Sequence, residues 1–528
     1  MKRRLLAFAA LILSVAAIVS SCKDESTPPP APQVTGDVGS LNLVTGGTGK
    51  VTLTVVAPGK FGTATAVADK GTVTMANIAG TGTEAGVAEL TYVAPDETGN
   101  YKITVTVTDQ AQQTGTVDIT VAVTAKPPVT VPAGNVPGVW EKNTTCIAGG
   151  TLVIAKGTSL TIQEGVTVIF DGNGSTAAPE LSVQGSLYSM GTAAKPVLFT
   201  IPEAKRIKAN IFAGTWGGIQ ATPDATEMVL QYTTVEYAGA PTGAGNASLY
   251  SGSPYKDGDP RYGILFSNTA GKLVIQNSNV RYTADDGMRV TGGTVLISKN
   301  QFVLNGKNGG ESVNIKSGVT GTVAYNVSYR AATNAWKWSS KSGTSDNPQT
   351  DVDVYNNTAV ECGWRQTKTG RGGSLNVEEK GRGQAYNNLV VNSRFGMKMV
   401  SSADVGNLKI GFNQYYGTDK VMTDQFYPTD GALVKGDKET SSDVVGAAGE
   451  NDPGFVNYVV STYTSAYPVD PSTLDYMPST VDFHLKSTAP GLAKGKTSFT
   501  VKSAIVINGI TYTPPAPAAY IGAYGTAN

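Results

Sequence analysis

Histidine and cysteine are scarce in this chain of 528 residues, and charged side chains make up only 16% of it. The single histidine, His484, argues against a His-ligated metal site and against a Ser-His-Asp catalytic triad. Basic and acidic residues number 41 each, so the bulk charge gives no indication of a nucleic-acid partner. Cys146 and Cys362 stand far apart in the sequence, and we expect both to be buried and unpaired.

The sequence has 62 glycines and many short bursts of β-branched residues. Within the stretch Thr151 to Gly172, three bursts are each closed by a turn that contains glycine: residues 152–154, 160–162 and 166–169. Glycine breaks at intervals of about eight residues exclude a helix, and the apolar period is near two. Bursts this short favour stacked parallel coils over long hairpins. The pattern predicts an all-β protein in which residues 139–528 form a right-handed parallel β-helix.

The N-terminus has the organisation of an exported protein. A basic start, Met1–Arg4, precedes an apolar run, Leu5–Val19, that is too short to span a membrane. The following Val19-Ser20-Ser21-Cys22 resembles a bacterial lipobox. This resemblance implies a signal peptide over residues 1–21 and a diacylglycerol on the thiol of Cys22.

Residues 22–32 are expected to form a lipidated tether. The acidic tract at 23–26 resembles the surface-export signal of lipoproteins of the Bacteroidota; the alternative is a solvated charged spacer. Residues 27–32 are rich in proline and predict a semi-rigid polyproline segment. Together these features predict a protein attached to the outer membrane by its lipid and displayed at the cell surface.

Residues 33–125 contain longer alternating strands, such as Tyr101–Thr108 and Thr116–Val123, joined by polar loops. About ninety residues with some seven strands predict an immunoglobulin-like sandwich. The segment GNYKITVTVTDQ resembles bacterial Ig-like modules of surface proteins, which implies a spacer more than a ligand-binding module. Residues 126–138, with Pro127 and Pro128, are predicted to be a stiff linker.

Two further groups of motifs resemble known β-helix proteins. The segment LTI (160–162) is followed by KPVLFT (195–200), WGGI (216–219) and VEYAG (235–239). This order resembles that found in surface β-helix proteins of the Bacteroidota. DFHLKSTAPGLAKG (482–495) and YIGAY (520–524) resemble the closing motifs of pectate-lyase-like β-helices. These resemblances imply the fold and carry no catalytic residue; His484, within the closing motif, is expected to be a capping residue.

Asparagine recurs at the ends of strands beyond residue 262, at intervals of 21 to 31 positions. The positions are Asn279, Asn300, Asn326, Asn357, Asn388 and Asn413. Stacked asparagines at one corner of a coil can hydrogen-bond to the neighbouring backbone and tolerate a left-handed conformation. We expect this set to be structural.

Three sets of residues could meet a ligand on the flank of the β-helix. Asp285 and Asp286 could hold calcium, or they form an ordinary turn. Exposed tryptophan stacks on sugar rings, and arginine or lysine pairs with acidic sugars. The second set has residues of these types: Trp336, Trp338 and Trp364 with Arg365, Lys368 and Arg371. The third set lies on the following coils and consists of Arg382, Arg394 and Lys398. The alternative for the tryptophans is that they pack loops onto the β-helix.

The function predicted first is recognition of an extracellular polysaccharide or another surface component. The partner would be the glycan, with an outer-membrane importer complex as a further one, in glycan uptake or adhesion. The alternative is a polysaccharide lyase or hydrolase that acts on an acidic glycan, with Arg365, Lys368 and Arg371 as candidate catalytic residues. A third possibility is a purely structural protein. The fold alone cannot choose among them.

Overall fold

A computed structural model describes residues 27–340, 349–460 and 467–527. Cys22 and the predicted signal peptide lie outside these residues. The chain divides into two compact units, Met1–Ala125 and Lys126–Asn528. No helix in the described part of the chain is long and apolar enough to cross a membrane.

The first unit is a β-sandwich of two four-stranded sheets. Its strands are β1 (Gln33–Gly36), β2 (Ser40–Val44), β3 (Thr48–Val56), β4 (Phe61–Ala68), β5 (Thr72–Ala79), β6 (Ala85–Val93), β7 (Gly99–Asp109) and β8 (Thr114–Thr124). One sheet has the order β1-β3-β6-β5 and the other β2-β8-β7-β4. The alternating side chains of both sheets enclose one apolar core, which includes Leu53, Phe61, Leu90 and Val105. The finer assignment to the Ig-like class stays a prediction.

The second unit is the predicted right-handed parallel β-helix, and this part of the prediction is confirmed. Three strands form each coil, and each strand pairs in parallel with its equivalent in the next coil. The strands are β9 (Val129–Val131), β10 (Gly134–Asn135), β11 (Gly138–Trp140), β12 (Thr145–Ala148), β13 (Leu152–Ile154), β14 (Ser159–Ile162), β15 (Thr167–Phe170), β16 (Leu181–Val183), β17 (Ser186–Met190), β18 (Val197–Thr200), β19 (Ile219–Ala221), β20 (Glu227–Gln231), β21 (Thr233–Glu236), β22 (Ile264–Phe266), β23 (Lys272–Gln276), β24 (Asn279–Thr283), β25 (Met288–Thr291), β26 (Thr294–Ser298), β27 (Gln301–Asn305), β28 (Val313–Lys316), β29 (Thr320–Ala324), β30 (Val327–Tyr329), β31 (Trp336–Ser339), β32 (Asp351–Tyr355), β33 (Thr358–Val360), β34 (Leu375–Glu378), β35 (Arg382–Tyr386), β36 (Leu389–Val391), β37 (Met397–Met399), β38 (Leu408–Gly411) and β39 (Gln414–Tyr416).

These strands make three long parallel sheets, which we name in the order in which each coil visits them. Sheet 1 has eleven strands, from β9 and β12 to β39; sheet 2 has ten, from β10 to β37; and sheet 3 has ten, from β11 to β38. Alternate side chains of every strand point inward and form one continuous apolar core. Both Cys146 and Cys362 lie in this core as free thiols, as predicted.

The first coil begins earlier than predicted. β9 pairs in parallel with β12, and β10 with β13, so residues assigned to a linker at 126–138 already belong to the β-helix. Val131 packs against the apolar core. The two prolines lack a backbone N–H, but they precede β9 and therefore interrupt no strand pairing.

Asparagine side chains form a buried ladder at the corner between sheets 3 and 1. The Oδ1 atom of Asn357 accepts hydrogen bonds from the backbone N–H and the Nδ2 of Asn326, both at 2.9 Å. The same pattern recurs from coil to coil, through Asn300, Asn326, Asn357, Asn388 and Asn413. The ladder thus satisfies the N–H groups of a corner where no strand partner is available.

Two details of the ladder differ from the prediction. At its start the member is Ser278, whose N–H donates to Asn300 Oδ1 at 2.9 Å, whereas Asn279 points outward and is half-buried. The left-handed conformation belongs to the residue before each ladder position, for example Tyr325 at φ 59° and Asn387 at φ 58°. That preceding residue turns the backbone, and the ladder side chain then lies inside the corner.

The C-terminal residues fold back over two of the three outer faces. On sheet 3, Ile505 and Ile507 of the hairpin β42 (Ile505–Ile507) and β43 (Ile510–Tyr512) cover outward side chains that include Val229 and Val274. On sheet 1, β41 (Asp482–Leu485) and β40 (Phe455–Asn457) pair in an antiparallel manner. Phe483 of β41 packs against Tyr329 with ring centroids 6.2 Å apart.

Helical structure in the described residues is limited to short segments. They are 3-10 turns at Glu203–Lys205, Lys208–Asn210, Val405–Asn407, Thr440–Ser442 and Pro471–Thr473, and one α-helical turn, α1 (Lys420–Thr423). Residues 240–262 form a loop over the early strands of sheet 2, where Tyr255 donates a hydrogen bond to Gln220 Oε1 at 2.7 Å. The outer faces of sheets 2 and 3 each retain a polar cavity, of about 260 and 270 Å³.

Candidate functional site

The outward side chains of sheet 2 form a polar row across five neighbouring strands. Parallel pairing places them in register, one per coil: Arg289 of β25, Asn314 of β28, Lys337 of β31, Asn376 of β34 and Lys398 of β37. Each row member stands between two inward apolar residues, because side chains alternate along a strand. Adjacent strands lie about 4.8 Å apart, so the row is a straight line of polar groups at that spacing.

The far end of the row opens into a cleft of about 260 Å³. We use "the cleft" for this cavity. Its floor includes Lys337, Asn376 and Lys398, and its walls come from loops before and after the strands. The charged and amide side chains that line it are Glu311, Asn334, Lys337, Arg371, Asn376, Glu378, Lys398 and Asp430.

Two ion pairs lie within the cleft. Lys337 Nζ is 2.8 Å from Glu378 Oε1 and 3.9 Å from Glu311 Oε1. Lys398 Nζ contacts the Asp430 carboxylate and donates to the carbonyl of Gly370 at 2.7 Å. The Asp430 side chain is 51% exposed at the rim, whereas the lysines are largely buried.

Both partners of the Lys337–Glu378 pair keep their charge. Burial by itself would raise the pKa of Glu378, but the ammonium of Lys337 outweighs burial and lowers it to about 2. Burial opposes the charged form of Lys337 as well, yet Glu311 and Glu378 raise its pKa above the ordinary value. Lys316 also lies beside Glu378, with its Nζ 3.6 Å from Glu378 Oε1. Burial and the nearby Lys337 lower the pKa of Lys316 to about 8.

Next to the cleft, toward the Arg289 end of the row, two carboxyl groups contact Asn314. Asn314 Nδ2 donates to Asp286 Oδ2 at 2.9 Å and to Glu311 Oε2 at 3.3 Å. Burial and the carboxylate of Glu311 raise the pKa of Asp286 well above its usual range. Burial opposes the charged form of Glu311 as well, but Lys337 lowers its pKa. The pKa values of the two carboxyl groups are thus shifted in opposite directions.

This end of the row also contains unpartnered polar atoms. Arg289 donates from one terminal nitrogen to the Tyr262 hydroxyl at 2.9 Å, while its Nε has no hydrogen-bond partner. The Oδ1 atom of the neighbouring Asn314 is also buried without a partner. A buried donor and a buried acceptor without partners each cost free energy.

The predicted calcium site does not fit this geometry. Asp286 is buried, and its Oδ1 and Oδ2 already accept hydrogen bonds from the Glu311 N–H at 2.7 Å and from Asn314. Burial, followed by Glu311, raises the pKa of Asp285 to about 6. No group of three or more metal-binding side chains occurs among residues 27–340, 349–460 and 467–527. Calcium prefers six to eight oxygen ligands, several of them charged carboxylates.

Trp336 and Trp338 lie in the interior and do not form a stacking platform. They are 1% and 0% exposed and belong to the apolar core. Their spacing of two places both rings on one face of β31, and that face is the inner one. Neither Nε1 has a hydrogen-bond partner, so both rings serve as apolar packing.

Trp364 and Arg365 are structural as well. Trp364 Nε1 donates to the carbonyl of Asn392 at 2.7 Å. Arg365 is 3% exposed, and its guanidinium donates to several backbone carbonyls, including those of Asn305 and Gly306. Burial removes Arg365 from contact with a ligand, so the prediction that it binds or catalyses is wrong.

The remaining cationic candidates are distributed between the cleft and other places. Arg371 and Lys398 line the cleft, and Lys368 is exposed on the same loop as Arg371. Arg394 lies over the ring of Tyr467, with its guanidinium carbon 4.0 Å from the ring centroid. Arg382 projects from sheet 3 and pairs with Asp351 at 3.2 Å. His484 stacks on Tyr524 within the C-terminal segment, in a position consistent with a capping residue.

Sequence reasoning missed most of the polar row, although a signal was present. Each member is the centre of an apolar–polar–apolar triplet: Met288-Arg289-Val290, Val313-Asn314-Ile315, Trp336-Lys337-Trp338, Leu375-Asn376-Val377 and Met397-Lys398-Met399. Aligning these triplets by coil brings their central residues together. Glu378 and Asp430 have no such signal, because one ends a strand and the other lies in a loop.

Comparison with known proteins adds little to this description. No protein-family model matches the chain, and no curated protein matches it. Among solved structures, it is similar to a family 28 exopolygalacturonase of Yersinia enterocolitica, with 11% identity and a TM-score of 0.26 over 73% of this chain and 95% of that chain. A superposition this poor supports no inference about function, and the fold assignment depends on the three parallel sheets themselves.

Proposed function

We propose that this chain is a surface lipoprotein that binds an extracellular polysaccharide through the cleft on sheet 2. The observation that carries the proposal is the cleft itself, a recess whose floor is built from side chains held in register on neighbouring strands of sheet 2. It is lined by charged and amide side chains, and a second polar cavity, of about 270 Å³, lies on sheet 3. Hydroxyl-rich polymers are recognised by groups of these types, which donate and accept hydrogen bonds.

The cellular setting of the proposal comes from the N-terminal sequence. The lipobox-like segment ending in Cys22, the acidic tract and the proline-rich tether support lipid attachment to the outer membrane and display at the surface. A surface glycan-binding protein would hand its polymer to an outer-membrane importer or hold the cell on a glycan-coated surface. Both roles use the same cleft.

A matched pair of lysine variants tests binding. Lys398→Met removes a cleft ammonium that donates to the carbonyl of Gly370, and Lys272→Met removes one that donates to the carbonyl of Val506 on sheet 3. Binding of a polysaccharide panel to the full-length chain would be measured by affinity electrophoresis and calorimetry. We expect Lys398→Met to weaken binding by about tenfold, or about 1.4 kcal/mol, and Lys272→Met to leave it unchanged. Equal effects, or no binding by the unmodified chain, would contradict the proposal.

A second candidate function is cleavage of the bound glycan. It is favoured by the carboxylates that line the cleft, Glu311, Glu378 and Asp430, because two carboxyl groups flanking the scissile bond are the arrangement used in glycoside hydrolysis. A lyase acting on an acidic glycan would instead need a base of lowered pKa beside a cation that neutralises the uronate, and Arg371 is a predicted catalytic candidate that lines the cleft. New reducing ends or unsaturated products, lost in Glu311→Gln, would support an enzyme. Their absence from every polysaccharide that binds would exclude one.

A further inference from the structure

The cleft does not resemble a site for a charged polymer. It is lined by three cationic side chains, Lys337, Arg371 and Lys398, and by three carboxylates, Glu311, Glu378 and Asp430. A polyanion lying on the floor would approach a carboxylate beside each lysine, and a polycation would approach a lysine beside each carboxylate. Neither gains much from the two lysines, because Lys337 and Lys398 are already paired with carboxylates; Arg371 is an exposed cation at the rim.

Each lysine–carboxylate pair offers a donor and an acceptor side by side. In the Lys337–Glu378 pair the ammonium and the carboxylate are 2.8 Å apart, which leaves two N–H groups of the lysine for another partner. Glu378 also accepts from Asn376 Nδ2 at 3.2 Å. Lys398 and Asp430 form a second pair, in which one N–H group of the lysine remains because another donates to the carbonyl of Gly370. Two neighbouring hydroxyl groups of a sugar fit such a pair, since one accepts from the ammonium and the other donates to the carboxylate.

The spacing of the two pairs matches a chain of sugars that crosses the coils. Lys337 and Lys398 stand on β31 and β37, with Asn376 of β34 between them. Their backbones are therefore separated by two strand spacings, about 10 Å. A glycan that advances by roughly one strand spacing per sugar would place sugars at both pairs and an intervening sugar over the amide of Asn376.

We infer that the cleft recognises an uncharged polysaccharide with vicinal hydroxyl groups, held by the Lys337–Glu378 and Lys398–Asp430 pairs. This inference rests on the proposed binding function and adds the class of ligand. It narrows the extracellular polysaccharide predicted first, and it differs from the acidic glycan of the enzymatic alternative, because the sequence shows the cations near residues 337–398 without the carboxylates that fold against them.

Three treatments of the ligand test the inference on the full-length chain. Neutral polysaccharides should bind more tightly than uronate polymers of similar length. Binding should change by less than about twofold between roughly 0.05 and 0.5 M NaCl, since hydroxyl recognition is hardly screened. Periodate oxidation followed by borohydride reduction, which breaks the bond between carbons that bear vicinal hydroxyls, should abolish binding without changing the charge of the polymer.

A charge variant supplies the protein side of the test. Asp430→Asn keeps the shape of an exposed side chain and leaves Lys398 without a carboxylate, so neutral glycans should bind about tenfold more weakly and uronate polymers more tightly. Asp224→Asn, in an exposed pair with Lys156 at 2.7 Å, is the matched control and should change neither. Tighter, salt-sensitive binding of uronate polymers by the unmodified chain would overturn this inference and leave the proposed function standing. No binding of any polysaccharide would overturn both.

Discussion

Replacing Asn357 by alanine should weaken the β-helix far more than replacing Asn279. Asn357 Nδ2 donates to the carbonyl of Val323 at 3.0 Å and to Asn388 Oδ1 at 2.9 Å, and its Oδ1 accepts two hydrogen bonds from Asn326. The side chain is fully buried. Alanine would remove four hydrogen bonds and leave the buried N–H of Asn326 without a partner.

The expected loss follows from those contacts. A buried N–H left unsatisfied costs about 1–3 kcal/mol, and the three other bonds add roughly 0.5–1.5 kcal/mol each, reduced because their partners keep other contacts. The total is about 3–5 kcal/mol in the free energy of unfolding. Asn279 is half-buried and makes one long contact, Nδ2 to Thr234 Oγ1 at 3.4 Å. Asn279→Ala should therefore stay within about 0.5 kcal/mol.

Urea unfolding, monitored by tryptophan fluorescence, measures this difference in the stability of the β-helix unit. All five tryptophans belong to the β-helix unit, so the signal reports on it alone: Trp140, Trp216, Trp336, Trp338 and Trp364. The reasoning fails if both variants shift the midpoint equally. It also fails if Asn357→Ala and Asn388→Ala are additive when combined, because directly bonded ladder members should show a coupling energy of about 0.5–3 kcal/mol.

Three other substitutions test the roles assigned above, again by urea midpoints. Trp338→Ala should cost about 3–5 kcal/mol through the cavity it leaves, whereas Trp338→Phe should cost less because Nε1 has no partner to lose; retained stability with lost glycan binding would contradict a core position. Arg365→Ala should cost about 2–4 kcal/mol by leaving buried carbonyls without donors, and Lys368→Ala, exposed nearby, should cost almost nothing. Burial raises the pKa of Asp443, which accepts from the Asn413 N–H at the end of the ladder, to about 7. Its folded pKa exceeds the unfolded value, so the stability it contributes is complete below about pH 4 and is lost as pH rises through 7. Asp443→Asn should flatten that dependence, and an unchanged pH profile would refute the assignment.

The elements that could be predicted are those that follow from the local sequence pattern of apolar, glycine and asparagine residues. Bursts of three or four apolar residues closed by glycine turns favour short strands that stack, which is why β13, β14 and β15 could be predicted from residues 151–172. The regular return of asparagine likewise predicted a ladder. Its entry point was missed because Ser278 and Asn279 are adjacent, and a shift of one position moves a side chain from inside the corner to outside.

The site is different, because it depends on contacts between distant segments. The sequence by itself determined the β-helix, its ladder and the period-two spacing of Trp336 and Trp338, since each follows from neighbouring residues. Only the tertiary structure decided which face of β31 is interior, and where a polar cleft remains on the outer face of sheet 2. It also decided which carboxylates pair with Lys337 and Lys398. The reason is physical: alternation along a strand specifies two faces but not their surroundings, and Asp430 reaches Lys398 only after a loop has folded back onto the coil.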